Sequence, residues 1–322
     1  MRRADPMELS PDRDSDSAFA QRLAVLQDAL PRHADKPEET AEATLRVLWQ
    51  LASGRALSVV SAGRLSLPAL NDAACARLDA LIAQRLAGRP LAHLSERQHF
   101  MGLDMLVGPQ ALIPRVETEQ LGRVALSLMQ GVQKPTVLDL CTGCGNLALA
   151  LAHHLPTAQV LAADVCGETI ALAKRNALHL DLGQRVDFRV GDLFAPFQQP
   201  EWRAAFDLVM CNPPYISSGK VDSLPMEIHR HEPRLAFDGG PLGVSVLHRL
   251  LRDAALFLRP GGWLALEVGR GQGQSVLQRL RSLAAPHLAN ASVFESALSA
   301  SDAAGDVRVV MARRTLTQLP LK

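Results

Sequence analysis

Between residues 136 and 145 the chain reads Thr136-Val137-Leu138-Asp139-Leu140-Cys141-Thr142-Gly143-Cys144-Gly145, an apolar run followed by a loop with two glycines. The run predicts a strand, and apolar residues at helical spacing over residues 147–155 predict a helix after the loop. Gly143 and Gly145 allow the backbone to turn tightly and approach a ligand, with helix N-terminal amides behind them. No Gly-Lys-Ser/Thr follows, which excludes a P-loop, and the glycines are too few for a pyrophosphate fingerprint.

Strand and helix patterns alternate from this stretch to the end of the sequence. Further strands are predicted at residues 159–163, 185–190, 206–210, 263–268, 292–294 and 307–311. Further helices are predicted at residues 168–180, 247–258 and 274–283, the second of them ended by Pro260-Gly261-Gly262. Alternation of this length is typical of an α/β fold, in which helices cover both faces of a mostly parallel sheet.

The residues before this alternation predict a separate, smaller unit. Apolar residues at helical spacing predict helices at 18–30, 39–51 and 68–86. A short alternating segment around Gly102 predicts a hairpin, and a helix is expected to run to about Met129. The expected organisation is a disordered lead (1–16), a helical N-terminal domain (17–92), a hairpin linker (93–115) and the sheet domain (116–322).

Composition limits the classes of function. The 322 residues carry a net charge of +1, which does not indicate bulk binding to nucleic acid or to a membrane surface. No apolar run is long enough to span a bilayer, and the polar start lacks a signal-peptide core. Five cysteines, an odd number, indicate reduced thiols, so we expect a cytoplasmic protein, and we expect it to be a monomer.

Two acidic residues follow the next two predicted strands. Asp164 ends the second strand, where a carboxylate can accept hydrogen bonds from both hydroxyls of a ribose. Asp192 follows the third strand, where its carboxylate could accept a hydrogen bond from an adenine amino group. Because the glycine loop, Asp164 and Asp192 follow successive strands, the ordered set predicts a pocket for adenosine.

A stiff turn, Asn212-Pro213-Pro214-Tyr215, follows the strand predicted at residues 206–210. Neither proline can donate to a sheet, and each restricts the residue before it, so the chain leaves the sheet abruptly. The turn presents an amide side chain, a carbonyl group and the ring of Tyr215, the only tyrosine in the sequence. It predicts a clamp for a planar NH₂ group. The alternative is a plain Pro-Pro turn with a surface tyrosine.

The pair Cys141-x-x-Cys144 has two other interpretations. The same spacing occurs in half of a zinc site and in redox pairs. A zinc site needs two further ligands, and no second Cys or His pair is spaced to supply them, so we expect no metal. The hypothesis we retain is a pair of small residues that line the cofactor loop.

The motifs of the chain form an ordered series. They are Ile113-Pro114-Arg115-x-Glu117-Thr118-Glu119, Asp139-Leu140-x-Thr142-Gly143-x-Gly145, Asp164, Asn212-Pro213-Pro214-Tyr215, Glu232-Pro233-Arg234-Leu235-Ala236-Phe237-Asp238-Gly239-Gly240, Pro260-Gly261-Gly262, Leu266-Glu267-Val268-Gly269-x-Gly271-Gln272 and Ala304-Gly305-Asp306-x-Arg308-Val309-Val310. This series resembles class I S-adenosylmethionine-dependent methyltransferases of the Asn-Pro-Pro-Tyr group. It is most similar to the HemK-type peptide chain release factor glutamine N5-methyltransferases. The resemblance covers about residue 90 to the end.

The resemblance implies a Rossmann-like domain with a mostly parallel seven-stranded sheet, after a small all-helical domain that recognises the substrate. It implies S-adenosylmethionine as cofactor, with its ribose at Asp164 and its adenine beside Leu193. The implied cofactor-binding residues are Asp139, Cys141, Thr142, Gly143, Cys144, Gly145, Asp164, Asp192, Leu193 and Asn212. The implied substrate-binding residues are Asn212, Pro213, Pro214, Tyr215, Phe100, Arg115, Glu117 and Glu119, of which Asn212, Pro213 and Tyr215 are expected to be catalytic. The family usually has glycine at the position of Cys141.

The expected reaction is methyl transfer to the side-chain nitrogen of a protein glutamine, in the Gly-Gly-Gln sequence of a release factor. That nitrogen is a poor nucleophile because its lone pair is delocalised. The Asn212 side-chain oxygen and the Pro213 carbonyl would accept both of its protons and orient it. Alternative acceptors are a ribosomal protein glutamine, a small molecule or another protein, and an adenine N6 of nucleic acid. The low aromatic content, 4%, argues against nucleic acid. A partner-binding role with a vestigial pocket is the non-enzymatic alternative.

Overall fold

The computed structural model describes residues 11–31, 36–285 and 291–316. The chain folds as two compact units, Met1–Arg97 and Gln98–Lys322. The sequence analysis ends the helical domain at residue 92 and assigns residues 93–115 to a hairpin linker. The first unit takes in the start of that linker, and the second unit takes in the rest.

The first unit is built from helices in the part that the structure describes. They are α1 (Pro11–Ala29), α2 (Ala41–Ala52), α3 (Val59–Gly63), α4 (Asp72–Leu86) and α5 (Leu91–Ser95). Thr40 and Asn71 cap α2 and α4, because their side-chain oxygens accept the backbone N–H groups of Ala43 and Ala74. The core of this unit includes Leu26, Leu45, Leu48, Trp49, Leu78 and Ile82.

The start of α1 differs from the sequence prediction. Residues 11–16, predicted to belong to a disordered lead, form the first turns of this helix. The prediction relies on apolar periodicity, which these residues lack, but Pro11 suits the first helical position because its ring fixes φ near the helical value. Residues 1–10 of the predicted lead lie outside the described residues. The helices α3 and α5 were not predicted, because each is too short to show a period.

The second unit is an α/β domain. Its strands are β1 (Arg97–Phe100), β2 (Leu103–Leu106), β3 (Thr136–Leu140), β4 (Gln159–Asp164), β5 (Val186–Val190), β6 (Phe206–Cys211), β7 (Leu258–Glu267), β8 (Ala284–Ala285), β9 (Ala291–Ser292), β10 (Phe294–Ser301) and β11 (Val307–Arg314). Its helices are α6 (Thr118–Leu128), α7 (Asn146–His154), α8 (Gly167–His179), α9 (Ser218–Val221), α10 (Met226–His231), α11 (Ser245–Phe257) and α12 (Gly273–Ser282). Short 3₁₀ turns lie at Ala195–Phe197, Pro200–Trp202 and Arg234–Ala236.

One seven-stranded sheet has the order β10-β11-β7-β6-β3-β4-β5. The strands β7, β6, β3, β4 and β5 are parallel, whereas β10 and β11 pair in antiparallel fashion. The predicted fold class, a mostly parallel seven-stranded sheet preceded by helices, is therefore confirmed.

The order of the strands reverses between β3 and β6. From β3 the chain continues to β4 and β5 on one side, and then returns to place β6 on the other side. Leu140 of β3 pairs with Cys211 of β6, so the loops that follow these two strands lie side by side. In open α/β sheets, such a switch point at the carboxyl ends of the strands is where ligands bind.

Apolar cores cover both faces of this sheet. Along β3, Val137 packs into one core and Leu138 into the other. Along β6, Leu208 and Val209 alternate in the same way. This burial explains why these strands are continuous apolar runs in the sequence.

The segment Pro260-Gly261-Gly262 has a different role from the predicted one. α11 ends at Phe257 and β7 begins at Leu258, so the segment lies inside a strand rather than ending a helix. The pairing with β6 shifts between Phe206 and Leu208, which identifies the segment as a bulge. Gly261 has a φ of 78°, a left-handed conformation that glycine adopts without steric cost.

Two kinds of feature are absent from residues 11–31, 36–285 and 291–316. No helix in these ranges is long and apolar enough to cross a membrane. In the same ranges, no three His, Cys, Asp or Glu side chains are grouped as metal ligands would be.

Candidate functional site

A cavity of about 300 Å³ lies in the second unit at the carboxyl edge of the sheet. The predicted site residues on its wall are Arg115, Cys141, Thr142, Gly143, Asp164, Asp192, Leu193, Asn212 and Pro214. The predicted site residues away from its wall are Phe100, Glu117, Glu119, Asp139, Cys144, Gly145, Pro213 and Tyr215. The cavity thus joins the loop after β3 to the turn after β6.

The two glycines of the loop after β3 differ in their surroundings. Gly143 has a φ of 58°, and a Cβ there would meet nothing within 4 Å, because the residue faces the open cavity. Gly145 has a φ of 85°, and a Cβ there would lie 3.2 Å from Ala173, Leu149 and Phe188. Gly143 therefore leaves backbone open to a ligand, whereas Gly145 lets α7 pack closely on the layer beneath it.

Cys141 adopts a backbone conformation that favours glycine. Its φ is 55°, in the left-handed region, which costs a residue with a Cβ roughly 1–2 kcal/mol. The side chain is half-buried on the cavity wall, and its thiol hydrogen-bonds with that of Cys211. The loop therefore makes a turn of the kind that favours glycine with a non-glycine residue at this position.

Cys144 lies beneath the loop rather than on the cavity wall. Burial raises the pKa of its thiol to about 12, so the group stays protonated and unreactive near neutral pH. All five cysteines of the chain are free thiols.

Asp139 anchors the loop from below. The Thr142 hydroxyl donates to Asp139 Oδ2 at 2.5 Å, while Oδ1 is buried without a partner among the described residues. Burial raises the pKa of this carboxyl to about 7, against the opposing effect of the Thr142 hydrogen bond.

Asp164, at the end of β4, is held by backbone amides. Gly143 N–H donates to its Oδ2 and Cys166 N–H to its Oδ1, both at 3.0 Å. Burial raises the pKa of the carboxyl, and the backbone hydrogen bonds oppose that rise. A carboxylate can accept about four hydrogen bonds, so Asp164 keeps acceptor capacity for ligand hydroxyls at the cavity.

Asp192 and Leu193 form the wall beyond β5. Asp192 is exposed and forms an ion pair with Arg249 of α11. Leu193 is buried with a φ of 48°. Nothing in the sequence points to Arg249, because it lies within an ordinary helical pattern far along the chain.

Asn212 reaches the cavity from the end of β6, and its orientation is set by α6. Its Nδ2 donates to Thr118 Oγ1 at 3.1 Å. Tyr215 points away from the cavity. Its hydroxyl donates to Glu267 Oε1 at 3.4 Å. Burial, followed by the charge of Glu267, raises the pKa of Tyr215 to about 12. The ring of Tyr215, predicted to be part of the clamp, therefore lies off the cavity wall.

The residues expected near the transferred methyl group separate into two sets. Arg115 is on the wall, and its guanidinium binds the buried Glu232 at 2.5 Å. Phe100 is fully buried, and Glu119 accepts the Met101 N–H at 2.9 Å, which ties the β1–β2 hairpin to α6. Phe100 and Glu119 thus support the wall from behind.

The cavity wall contains residues that the sequence analysis did not single out. They include Gln110, Leu112, Asn146, Val165, Cys166, Thr169, Pro233, Leu235, Asp238 and Arg249. Pro233, Leu235 and Asp238 belong to the Glu232–Gly240 motif, which was quoted without a role and is the signal that points to them.

A parallel sheet with a glycine loop at its switch point and a polar turn beside that loop is an arrangement in which α/β proteins bind ligands, and comparison with known proteins identifies the class as a methyltransferase. Residues 122–244 match the family model of the methyltransferase small domain. The chain is 42% identical over 216 residues to the release factor glutamine methyltransferase of Moorella thermoacetica, covering 67% of this chain and 75% of the relative. It is 33% identical to the Bradyrhizobium diazoefficiens enzyme of the same name, covering 86% and 89%.

A relative with another acceptor in its name is also similar. The ribosomal protein uL3 glutamine methyltransferase of Bradyrhizobium diazoefficiens is 39% identical over 204 residues, covering 60% of this chain and 61% of that protein. The more extensive matches decide the family. The chain belongs to the release factor glutamine methyltransferase family.

Proposed function

We propose that this protein transfers a methyl group from S-adenosylmethionine to the side-chain amide nitrogen of the Gly-Gly-Gln glutamine of a peptide chain release factor. The observation that carries the proposal is the single cavity shared by the open backbone at Gly143 and by Asn212. The pairing of Leu140 with Cys211 makes these two features neighbours. Membership of the release factor glutamine methyltransferase family supports the choice of acceptor.

The residues on the wall fit S-adenosylmethionine, which when bound supplies an electrophilic methyl group on a sulfonium. Gly143 offers bare backbone where a Cβ would occupy the cavity, and residues 141–145 would hold the methionine part. Asp164, fixed by two backbone amides, would accept the ribose hydroxyls. Leu193 would lie beside the adenine. Arg249 binds Oδ2 of Asp192, which leaves Oδ1 for the adenine amino group.

The turn after β6 would hold the acceptor. Asn212 lies on the cavity wall, and its side-chain oxygen, together with the carbonyl of the adjacent Pro213, would accept the two protons of the glutamine NH₂ group and so orient the nitrogen for transfer. These interactions strengthen as positive charge develops on the nitrogen, so they lower the barrier more than they tighten binding. The proton then leaves for solvent after transfer.

The remaining parts of the proposal concern recognition and location. The helical first unit would recognise the acceptor protein, and the enzyme would act as a cytoplasmic monomer. The five free thiols agree with a reducing compartment.

The proposal is tested by methyl transfer from labelled S-adenosylmethionine to purified release factor. Label in the wild-type factor, and none in a factor whose Gly-Gly-Gln glutamine is changed to alanine, is the expected result. Measurable cofactor binding without label on the release factor would contradict the acceptor assignment. Label on ribosomal protein uL3 instead would move the assignment to the acceptor named for the similar relative.

A further inference from the structure

Three distant segments of the chain meet behind Asn212. Thr118 opens α6, Tyr215 follows β6 and Glu267 ends β7. Thr118 and Glu267 are 2% and 3% exposed, and Thr118 also lies on the cavity wall. The sequence analysis assigns no role to Thr118 or Glu267 themselves.

The contacts in this cluster form a chain of hydrogen bonds. Asn212 Nδ2 donates to Thr118 Oγ1 at 3.1 Å. Burial raises the pKa of the Glu267 carboxyl, and a hydrogen bond with the Thr118 hydroxyl opposes that rise. Tyr215 donates to the same carboxylate at 3.4 Å.

The direction of the chain follows from the chemistry of its last member. An ionised carboxylate can only accept, and a threonine hydroxyl has a single proton. When the Thr118 hydroxyl donates its hydrogen bond to Glu267, its oxygen can act only as an acceptor towards Asn212. The nitrogen of the carboxamide must therefore face Thr118, and its oxygen must face the cavity. The reversed carboxamide would set two lone pairs against each other in a buried site, which is unfavourable.

Several charged or titratable groups surround Glu267. Arg308 of β11 approaches it at 4.0 Å, Glu117 lies before α6, and Tyr215 lies after β6. Burial raises the pKa of Glu267 to about 7, while Thr118 and Arg308 favour the ionised form. The carboxylate is therefore the majority form above neutral pH.

We infer that Glu267 and Thr118 are positioning residues that fix the rotation of the Asn212 carboxamide, so that Oδ1 faces the cavity as a hydrogen-bond acceptor. This inference rests on the proposed function, because it assigns that oxygen to the acceptor's NH₂ group. Glu267 lies off the cavity wall, and Thr118 acts through its hydrogen bond with Asn212. They act by preventing Asn212 from presenting its own NH₂ group to another NH₂ group.

The test compares two substitutions at one position. Thr118→Val keeps the volume and removes the hydroxyl, whereas Thr118→Ser keeps the hydroxyl. We expect Thr118→Val to lower kcat about tenfold, the effect of one lost hydrogen bond at the transition state, with cofactor affinity unchanged. Thr118→Ser should restore most of kcat. Thr157→Val removes a surface hydroxyl that donates to Gln133 O and serves as the control. Equal kcat for wild type and Thr118→Val would overturn the inference.

A second measurement tests the inference on the enzyme alone, in the absence of the acceptor protein. The side-chain ¹H–¹⁵N signals of Asn212 can be identified by their loss in Asn212→Ala. We expect Thr118→Val, but not Thr118→Ser, to shift these signals and speed their exchange with water. If the wild-type enzyme does not methylate release factor, the proposed function fails, and these signals alone show whether the hydrogen-bond chain exists. Unchanged signals in Thr118→Val would contradict it.

Discussion

The two halves of the proposed site, a cofactor half and an acceptor half, are held in place by different means. In the cofactor half (residues 141–145 and 164–166), backbone conformation and backbone hydrogen bonds hold the structure in place. Left-handed conformations shape the loop, and backbone amides bind both oxygens of Asp164. In the acceptor half (residues 115, 118, 212–215, 232 and 267), side chains bind side chains, as in the pair of Asn212 and Thr118.

This difference determines what each half tolerates. A site built from backbone accepts a new side chain wherever that residue can adopt the required φ, as Cys141 shows. A site built from side-chain hydrogen bonds depends on the identity of each member, because removing one leaves a buried partner unsatisfied. Substitutions in the acceptor half should therefore alter kcat, and substitutions in the cofactor half should alter cofactor affinity.

The largest effect is expected in the acceptor half. Asn212→Ala removes the side-chain oxygen that orients the acceptor nitrogen, so kcat should fall about 100-fold or more. Calorimetric titration should show cofactor affinity close to that of the wild type. Near-normal turnover in single-turnover assays would remove Asn212 from the mechanism.

In the cofactor half, Gly143→Val should weaken cofactor binding about tenfold or more, because a side chain is strained at positive φ and would project into the cavity. Gly131→Val is a matched control, since Gly131 has a φ of 81° with nothing within 4 Å of its Cβ position and is not on the cavity wall. The control should lose stability without losing cofactor affinity. An equal loss of affinity in both variants would attribute the effect to strain alone.

The pH dependence of the reaction sharpens the comparison. Glu267 has a pKa raised to about 7, so its ionised fraction, and with it kcat at saturating cofactor, should fall as the pH drops below neutrality. Glu267→Gln should lower kcat about tenfold at pH 8 and abolish this acidic limb. Protonation of Asp139, also near pH 7, should instead appear in the KM for cofactor. An acidic limb that persists unchanged in Glu267→Gln would exclude that carboxyl as its source.

The smallest effect is expected from Cys141→Gly. Relief of the left-handed strain, roughly 1–2 kcal/mol, is partly offset by the greater flexibility of glycine in the unfolded chain, about 0.5–1 kcal/mol. The free energy of unfolding should rise by up to about 1.5 kcal/mol, and Tm by a few degrees. Urea and thermal denaturation measure both quantities. A loss of stability would show that the contact of Cys141 with Cys211 outweighs the strain.

The cofactor half was the easier one to predict from the sequence. Its signals are local, since glycines and acidic residues stand at the ends of apolar runs, and parallel strands bring those ends to one edge. Residues 141–143 of the loop after β3, together with Asp164, Asp192 and Leu193, lie on the cavity wall, whereas Cys144 and Gly145 lie off it. The fold class was predictable for the same reason, because strand and helix periodicities are local properties.

The acceptor half could be predicted only in part. Asn212 was found from the stiffness of its turn, but its partner Thr118 is 94 residues away and Tyr215 is 52 residues from Glu267. Hydrogen bonds of this kind leave no periodic pattern in a single sequence. The direction of Tyr215 depends on the buried carboxylate beside it, so its placement behind the wall could not be anticipated. The bulge at Pro260-Gly261-Gly262 was missed because a proline followed by glycines predicts a turn more readily than a strand.

The antiparallel position of β11 has a consequence for the order in which the site is completed during synthesis. β11 pairs with β7, and its residue Arg308 brings a positive charge beside Glu267. The predicted cofactor-binding residues, of which Asn212 is the last in the sequence, are therefore synthesised before Arg308, whose positive charge favours the ionised form of Glu267. A nascent chain ending before residue 307 would carry the adenosine-binding loops but not the finished acceptor half. Methyl-transfer activity would then arise only after β11 has paired with β7.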